Sequence, residues 1–142
     1  MKNLFVLTML GITLAFSSCR KDKVAAIELP DGFFENDWNA TKQSAQDNNR
    51  KIFIHFYKPN CDKCAAFKKD ILNDAEVEAY IRDNMIGASL NTKESDGKSV
   101  SESYDVTGHP GMAIADKDGN LLVKRLGVIQ KQAFLDWLKA NQ

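Results

Sequence analysis

The feature that most constrains this chain is a short apolar segment followed at once by a helix that begins at a cysteine pair. Residues 52–57 read IFIHFY and are apolar apart from His55. Such a short run, rich in β-branched and aromatic residues, favours a strand covered on both faces. Pro59 interrupts it, and Cys61 and Cys64 then open a segment with helical apolar spacing. The pattern predicts a central strand, a loop and a helix with Cys61 at its start.

The periodicity of the remaining chain predicts alternating helices and strands. The first helix is predicted from apolar residues at helical spacing, namely Phe34, Trp38, Thr41 and Ala45. Further helices are expected at residues 62–72, from Asn73 with Glu76 as a capping box, around Val100 and Tyr104, and at residues 130–140. Strands are expected at residues 52–57, 85–90, 112–115 and 121–126, with an additional edge strand at residues 24–29.

The order of these elements defines a fold class. The last two strands flank Asp118 and Gly119, a pair suited to a tight hairpin, so we expect them to pair antiparallel. Interleaved helices and short buried strands, closed by a hairpin and a helix, predict an α/β fold with a mixed four- to five-stranded sheet flanked by helices. A length of 142 residues, 44% of them hydrophobic, suits one such domain.

Charge and cysteine content exclude other classes of protein. Nineteen Lys and Arg residues balance nineteen Asp and Glu residues, so no net positive field is available to bind nucleic acid. Three cysteines are too few for a small domain held together by disulfides. The cysteines therefore need a different explanation.

The first 32 residues are predicted to be a targeting segment and a tether rather than part of the domain. Lys2 precedes thirteen uncharged residues, 4–16, which fit a signal peptide of residues 1–18 and are too short to span a membrane. The segment ends in Phe16, Ser17, Ser18 and Cys19, which resembles a bacterial lipobox. We expect a lipid on Cys19, a tether at residues 19–32 and a domain at residues 33–142.

The protein is expected to be exported whether or not Cys19 receives a lipid. The alternative is ordinary secretory cleavage that leaves Cys19 unlipidated or removes it. With the lipid, the protein is expected on the periplasmic face of a bacterial membrane; without it, the protein is expected to be periplasmic and soluble.

The cysteine pair is the strongest candidate for chemistry. A helix N-terminus supplies unpaired amides and a positive partial charge, which stabilise a Cys61 thiolate. Cys64, one helical turn later, can then resolve a mixed disulfide. The alternatives are a static disulfide, half of a zinc site or two incidental thiols. A four-residue loop is too small for a disulfide to stabilise much, and no second cysteine pair completes a four-thiolate zinc site.

Two segments give the chain a resemblance to a known family. Residues 56–64 (FYKPNCDKC) and 106–110 (VTGHP), with Asp118, Gly119 and Gly127 near the end, resemble the thioredoxin-like family over residues 33–142. The secreted or lipid-anchored single-domain members from bacteria are the most similar. The resemblance implies a thioredoxin-like fold and a thiol-disulfide oxidoreductase outside the cytosol. Such an enzyme is expected to act on protein or small-molecule disulfides, with a thioredoxin-type redox partner and no cofactor.

The same resemblance implies roles for individual residues. Cys61 takes the attacking role, and Cys64 takes the resolving role. Pro110, which follows a cis peptide bond, forms the floor of a groove in which a substrate strand pairs with the backbone. Tyr57 and His109 are expected beside the substrate. For His109, the alternative is a solvent-facing loop residue.

Several residues depart from the family pattern. Asn60 replaces the aromatic residue before the first cysteine, and Gly111 replaces the Thr or Val after the proline. Asp62 and Lys63 between the cysteines match neither typical reductants nor typical oxidants, so the direction of electron transfer stays open. His55, six residues before Cys61, occupies the position where the family usually has a buried acidic residue. An imidazole of near-neutral pKa at this position could accept the proton of Cys64. The alternative is a core histidine bonded to the backbone.

Two other functions remain possible at this point. A metal-handling protein would use Cys61, Cys64 and His55 or His109 as ligands for copper or zinc. A redox-inert module would use the groove only to hold a peptide, a role that requires neither thiol.

Overall fold

The computed structural model describes residues 28–142. The predicted signal peptide, Cys19 and the first part of the tether lie outside the described residues.

Within residues 28–142, five strands form one mixed sheet in the order β1-β3-β2-β4-β5. They are β1 (Phe33–Glu35), β2 (Lys51–Tyr57), β3 (Met85–Asn91), β4 (Gly111–Ala115) and β5 (Leu121–Leu126). The first three run parallel, whereas β4 is antiparallel to β2 and β5 is antiparallel to β4. The predicted mixed sheet, with β2 at its centre and a closing hairpin, is confirmed.

In the described part of the chain, five α-helices and one π-helical turn flank this sheet. They are α1 (Trp38–Asn48), α2 (Asp62–Phe67), the π-helical turn (Lys68–Leu72), α3 (Ala75–Asn84), α4 (Ser95–Ser103) and α5 (Lys131–Ala140). The π-helical turn continues α2, so the predicted helix over residues 62–72 is present with a local change of hydrogen-bond pattern.

The continuous apolar character of β2 follows from burial on both of its faces. Side chains alternate along a strand, so Phe53 and Ile54 point to opposite sides of the sheet. Phe53 belongs to an apolar cluster that includes Phe67 of α2 and Phe134 of α5. Ile54 belongs to a second cluster, which includes Leu90 of β3. The strand therefore lies between two packed layers.

The prediction that the first helix includes Phe34 is wrong. Phe34 belongs to β1, where it lies opposite Ala88 of β3. Asn36 then adopts a left-handed conformation with φ 52°, and the Asp37 carboxylate accepts a hydrogen bond from the amide of Ala40 at 2.9 Å. This cap makes Trp38 the first helical residue.

Two further predictions of element boundaries need correction. Asp74, not Asn73, caps α3, because its carboxylate accepts hydrogen bonds from the amides of Glu76 and Val77. The edge strand expected at residues 24–29 is absent from residues 28 and 29, and β1 takes the edge position instead.

Within residues 28–142, the helices are all too short or too polar to cross a membrane.

Candidate active site

The cysteine pair lies where the loop after β2 turns into α2. Asn60 adopts a left-handed conformation with φ 56°, which Asn tolerates better than most residues. Cys61 is the N-cap residue of α2, and its Sγ accepts a hydrogen bond from the amide of Cys64 at 3.2 Å. The two cysteines form a disulfide, with their Cα atoms 5.2 Å apart.

The two sulfur-bearing residues differ in accessibility. Cys61 is half-buried, whereas Cys64 is only 4% exposed and packs on the inner face of α2. Phe67 follows Cys64 by one helical turn and is buried on the same face. A second molecule can therefore approach Cys61 more readily than Cys64.

The segment before β4 contains the predicted cis bond between His109 and Pro110. Pro110 is buried, and its carbonyl accepts a hydrogen bond from the amide of Gly127 at 2.8 Å. A Cβ atom added at Gly111 would lie 2.6 Å from Cγ1 of Val106 and 3.4 Å from Cβ of Phe56. This crowding explains why a glycine follows the proline in this chain.

His109 is half-buried beside the proline. Its Nε2 lies 2.9 Å from Oγ1 of Thr92, within hydrogen-bond distance. Burial lowers the pKa of His109, and the positive charges of Lys58 and Lys93 lower it further. The imidazole therefore favours its neutral form.

His55 is buried, as its position on the central strand predicts. It is 1% exposed, and its ring packs against Phe67, with ring centroids 5.3 Å apart. Nδ1 lies 3.1 Å from Oγ of Ser89, so its partner is a side chain rather than the backbone. Among the described residues, no hydrogen bond joins His55 to Cys64, and Nε2 has no partner.

The expectation of a near-neutral pKa for His55 is wrong. Burial lowers its pKa to about 3, with further lowering by the positive charge of Lys68 and by His109. The physical reason is that the strand position removes the imidazole from water, so the charged form loses its solvation. His55 is therefore neutral over the physiological pH range.

Tyr57 connects the site to the first strand. Its ring stacks on His55 with centroids 5.8 Å apart, and its hydroxyl donates to Oε1 of Glu35 at 3.2 Å and accepts from Nδ2 of Asn36 at 3.4 Å. Burial raises the pKa of Tyr57. The phenol therefore stays protonated and anchors the end of β2 to the β1–α1 junction.

Two features of this region were not predicted from the sequence. The first is Ser89 on β3, which pairs with His55 only because the parallel register places the two residues side by side. The second is a groove of about 310 Å³ between α2 and the loop before α5, with Phe67, Ile71 and Val128 in its apolar lining. Val128 is 63% exposed. Neither feature has a local sequence signal, because both depend on tertiary packing.

Within the described part of the chain, His55 and His109 do not converge with Cys61 and Cys64 on one point. In residues 28–142, no group of three or more His, Cys, Asp or Glu side chains is close enough to hold one metal ion. His55 and His109 bond instead to Ser89 and Thr92. This arrangement does not favour the metal-handling alternative.

Together, the sheet order and the disulfide beside the central strand define an α/β domain built around a Cys-x-x-Cys pair. A family model described as "Thioredoxin-like domain" matches residues 38–142. The chain belongs to this family.

Individual relatives agree with the family assignment. Protein disulfide-isomerase 1 of Dictyostelium discoideum is 28% identical over 118 residues, which are 82% of this chain and 30% of that protein. A thioredoxin from Thermus thermophilus has a TM-score of 0.68 at 18% identity, covering 77% of this chain and 86% of that one. The oxidised C-terminal domain of DsbD from Neisseria meningitidis has a TM-score of 0.61 at 18% identity, covering 72% and 90%. The chain spans about a third of the length of the curated relatives it matches.

Proposed function

We propose that this chain is a thiol-disulfide oxidoreductase that acts through Cys61 and Cys64. The observation that carries the proposal is the disulfide between a half-buried Cys61 and a buried Cys64 at the start of α2. The family and the disulfide isomerase among the relatives support it. A redox-inert peptide-binding module would need neither cysteine.

The proposed reaction proceeds through a mixed disulfide. In the reduced protein, the Cys61 thiolate attacks a client disulfide and releases the first client sulfur as a thiolate. The Cys64 thiolate then attacks the sulfur of Cys61, which re-forms the Cys61–Cys64 bond and releases the second client sulfur. Two electrons pass from the pair to the client, and the reverse sequence oxidises client thiols.

The local structure favours a thiolate at Cys61. As the N-cap residue, Cys61 faces the unpaired amides of the first turn, and the amide of Cys64 already donates to its sulfur. The positive end of the helix dipole acts in the same direction. Both interactions lower the free energy of the anion relative to the thiol.

Substrate contacts are proposed for the segment that ends at Pro110. The backbone beside Pro110 would pair with an extended client segment, with His109 and Tyr57 flanking it. The groove beside exposed Val128 offers an apolar surface for a client side chain. These features favour protein clients, with small-molecule disulfides as further substrates.

The proposed location is outside the cytosol. The sequence of residues 1–18 supports export, and the motif ending at Cys19 supports a lipid anchor followed by a tether of residues 19–32 and the domain of residues 33–142. A redox partner with a thioredoxin-type site would then exchange electrons with the Cys61–Cys64 pair.

Turnover of a disulfide substrate tests the proposed function. The chain carrying Cys19→Ala, which removes the third thiol, is expected to catalyse the reduction by dithiothreitol of an aromatic disulfide. The reaction is followed by the colour of the aromatic thiolate that it releases. Adding Cys61→Ser is expected to abolish the catalysed rate, with Ser101→Ala as a control that changes a buried serine of α4. Equal rates with and without Cys61 would contradict the proposal.

A further inference from the structure

The loops that follow β2 and β3 place two exposed lysines at the same end of the sheet. Lys58 follows Tyr57, the last residue of β2, and Lys93 follows Thr92 in the loop after β3. The amide of Thr92 donates a hydrogen bond to the carbonyl of Tyr57 at 2.8 Å, so the two lysines leave neighbouring points of the backbone. Both lysine side chains are exposed. Two positive charges therefore lie at the surface here.

The same loops contact the segment that ends at Pro110. Oγ1 of Thr92 lies 2.9 Å from Nε2 of His109, the residue before this proline. Lys58 precedes Cys61 by three residues, and three residues of chain span at most about 11 Å. Lys58 thus lies near the attacking cysteine, and Lys93 follows a residue that contacts the segment proposed to bind the client.

The charges of the two lysines are left without ion pairs in the described part of the chain. Among these residues, no carboxylate lies within salt-bridge distance of Lys58 or Lys93. Asp62 and Lys63, which are exposed between the cysteines, have opposite signs and add little net charge. An unpaired positive charge at the surface attracts an approaching anion. A client carboxylate is the group that would complete these ion pairs.

Positive and negative charge are separated across the site. Burial lowers the pKa of His109, and the ammonium groups of the two lysines lower it further. Burial raises the pKa of Tyr57, and the carboxylates of Glu35 and Glu94 raise it further. The negative charge of this region therefore acts on the phenol, whereas the positive charge acts on the imidazole beside the proline.

We propose that Lys58 and Lys93 form a basic surface that selects clients with an acidic residue next to the reacting cysteine. The proposal rests on the proposed function, because the surface acts on clients whose disulfide meets Cys61. A carboxylate close to the client sulfur would be attracted to both ammonium groups while the client backbone pairs beside Pro110. Because the ammonium groups are exposed, each ion pair changes the rate by at most about fivefold and weakens with salt.

Three peptides test this selectivity with the reduced full chain carrying Cys19→Ala. Each peptide has one cysteine joined by a disulfide to neutral 2-mercaptopyridine, and both residues flanking that cysteine are glutamate, glutamine or lysine. Attack by Cys61 on the peptide sulfur forms a mixed disulfide and releases 2-mercaptopyridine, whose absorbance is followed by rapid mixing. Cys64 then re-forms the Cys61–Cys64 bond and releases the peptide thiol. Each rate constant is divided by that of 2-mercaptoethanol with the same peptide, because flanking charge alters the reactivity of the disulfide itself.

The expected result is a preference for the acidic peptide that depends on both lysines. At low ionic strength, the glutamate peptide is expected to react at least about threefold faster than the glutamine peptide, and the lysine peptide more slowly than either. The ratio is expected to approach one in about 0.5 M sodium chloride. Lys58→Gln with Lys93→Gln is expected to abolish the preference, and Lys58→Glu with Lys93→Glu to invert it. Comparing peptides within one variant cancels any effect of the substitutions on the Cys61 thiolate.

Lys117→Gln is the matched control, because it removes a positive charge at the other end of the sheet. Ala115, two residues before this lysine, pairs with Ile52 near the start of β2, whereas Lys58 follows the end of that strand. The control is expected to keep the preference for glutamate. Equal rates for the three peptides, or a preference for glutamate that survives the charge reversal, would overturn the basic surface and leave the proposed function intact. If none of the peptides is reduced, the proposed function and the basic surface both fail.

Discussion

At the scale of single residues, His55 is the side chain whose burial most affects the dependence of folding on pH. Its imidazole is neutral in the folded protein because burial and Lys68 lower its pKa to about 3. In the unfolded chain a histidine titrates near its ordinary pKa of about 6.5. The unfolded state therefore binds one more proton than the native state between these two values.

The sign of the resulting pH dependence is fixed by this difference. Because the unfolded state binds the extra proton, the free energy of unfolding is expected to fall by about 1.4 kcal/mol per unit as pH decreases from about 6.5 toward 3. His55→Gln is expected to remove the contribution of His55 and to leave only the smaller slope that comes from groups such as His109, whose pKa is also lowered in the folded protein. Urea unfolding at several pH values between 4 and 7 measures it, and an equal slope in both proteins would contradict the burial of a neutral imidazole.

Gly111 is a second position where a single residue matters, because the surrounding packing leaves no room for a side chain. A Cβ atom there would lie 2.6 Å from Cγ1 of Val106. Gly111→Ala is expected to lower the free energy of unfolding by about 1–3 kcal/mol through overpacking, with partial recovery in the double variant with Val106→Ala. Gly108→Ala is the matched control, because its nearest contact would be 3.6 Å away. Equal effects of the two alanines would show that Val106 does not restrict the site.

At the scale of elements, the long periodic segments could be predicted and their boundaries could not. β2, β3, the β4–β5 hairpin and α5 follow from apolar runs whose length and period reflect burial. The spacing of Phe34 to Trp38 fits a helix, yet pairing with β3 draws Phe34 into β1. The π-helical turn at Lys68–Leu72 has no sequence pattern that distinguishes it from a continuation of α2.

The cap of α1 gives an element-scale prediction. The Asp37 carboxylate satisfies the amide of Ala40, which would otherwise lack a partner. Asp37→Ala is expected to lower the free energy of unfolding by about 1 kcal/mol, whereas Asp37→Asn is expected to retain most of the stability. Chemical denaturation measures both. Asp47→Ala, in the same helix but exposed near its end, is the control, and an equal loss there would contradict the capping role.

At the scale of the whole molecule, the sheet separates two apolar clusters and brings distant segments to the end of β2. The cysteine pair, the cis proline and the position of His55 could be predicted, because each lies in a motif that resembles the family. Ser89 and Thr92, the partners of the two histidines, could not be predicted, because strand register and loop packing bring them there. The distinctive chemistry of the site therefore depends on contacts that local patterns do not encode.

The most direct test of the central claim is the capture of mixed disulfides by single cysteine variants. With Cys19→Ala in both, the chain carrying Cys64→Ser keeps the half-buried Cys61 and is expected to accumulate a mixed disulfide with glutathione or a client peptide, because no thiol remains to resolve it. The chain carrying Cys61→Ser keeps only the buried Cys64 and is expected to form little adduct. Mass spectrometry of the intact proteins measures both, and equal adduct formation by the two variants would contradict the assignment of Cys61 as the attacking thiol.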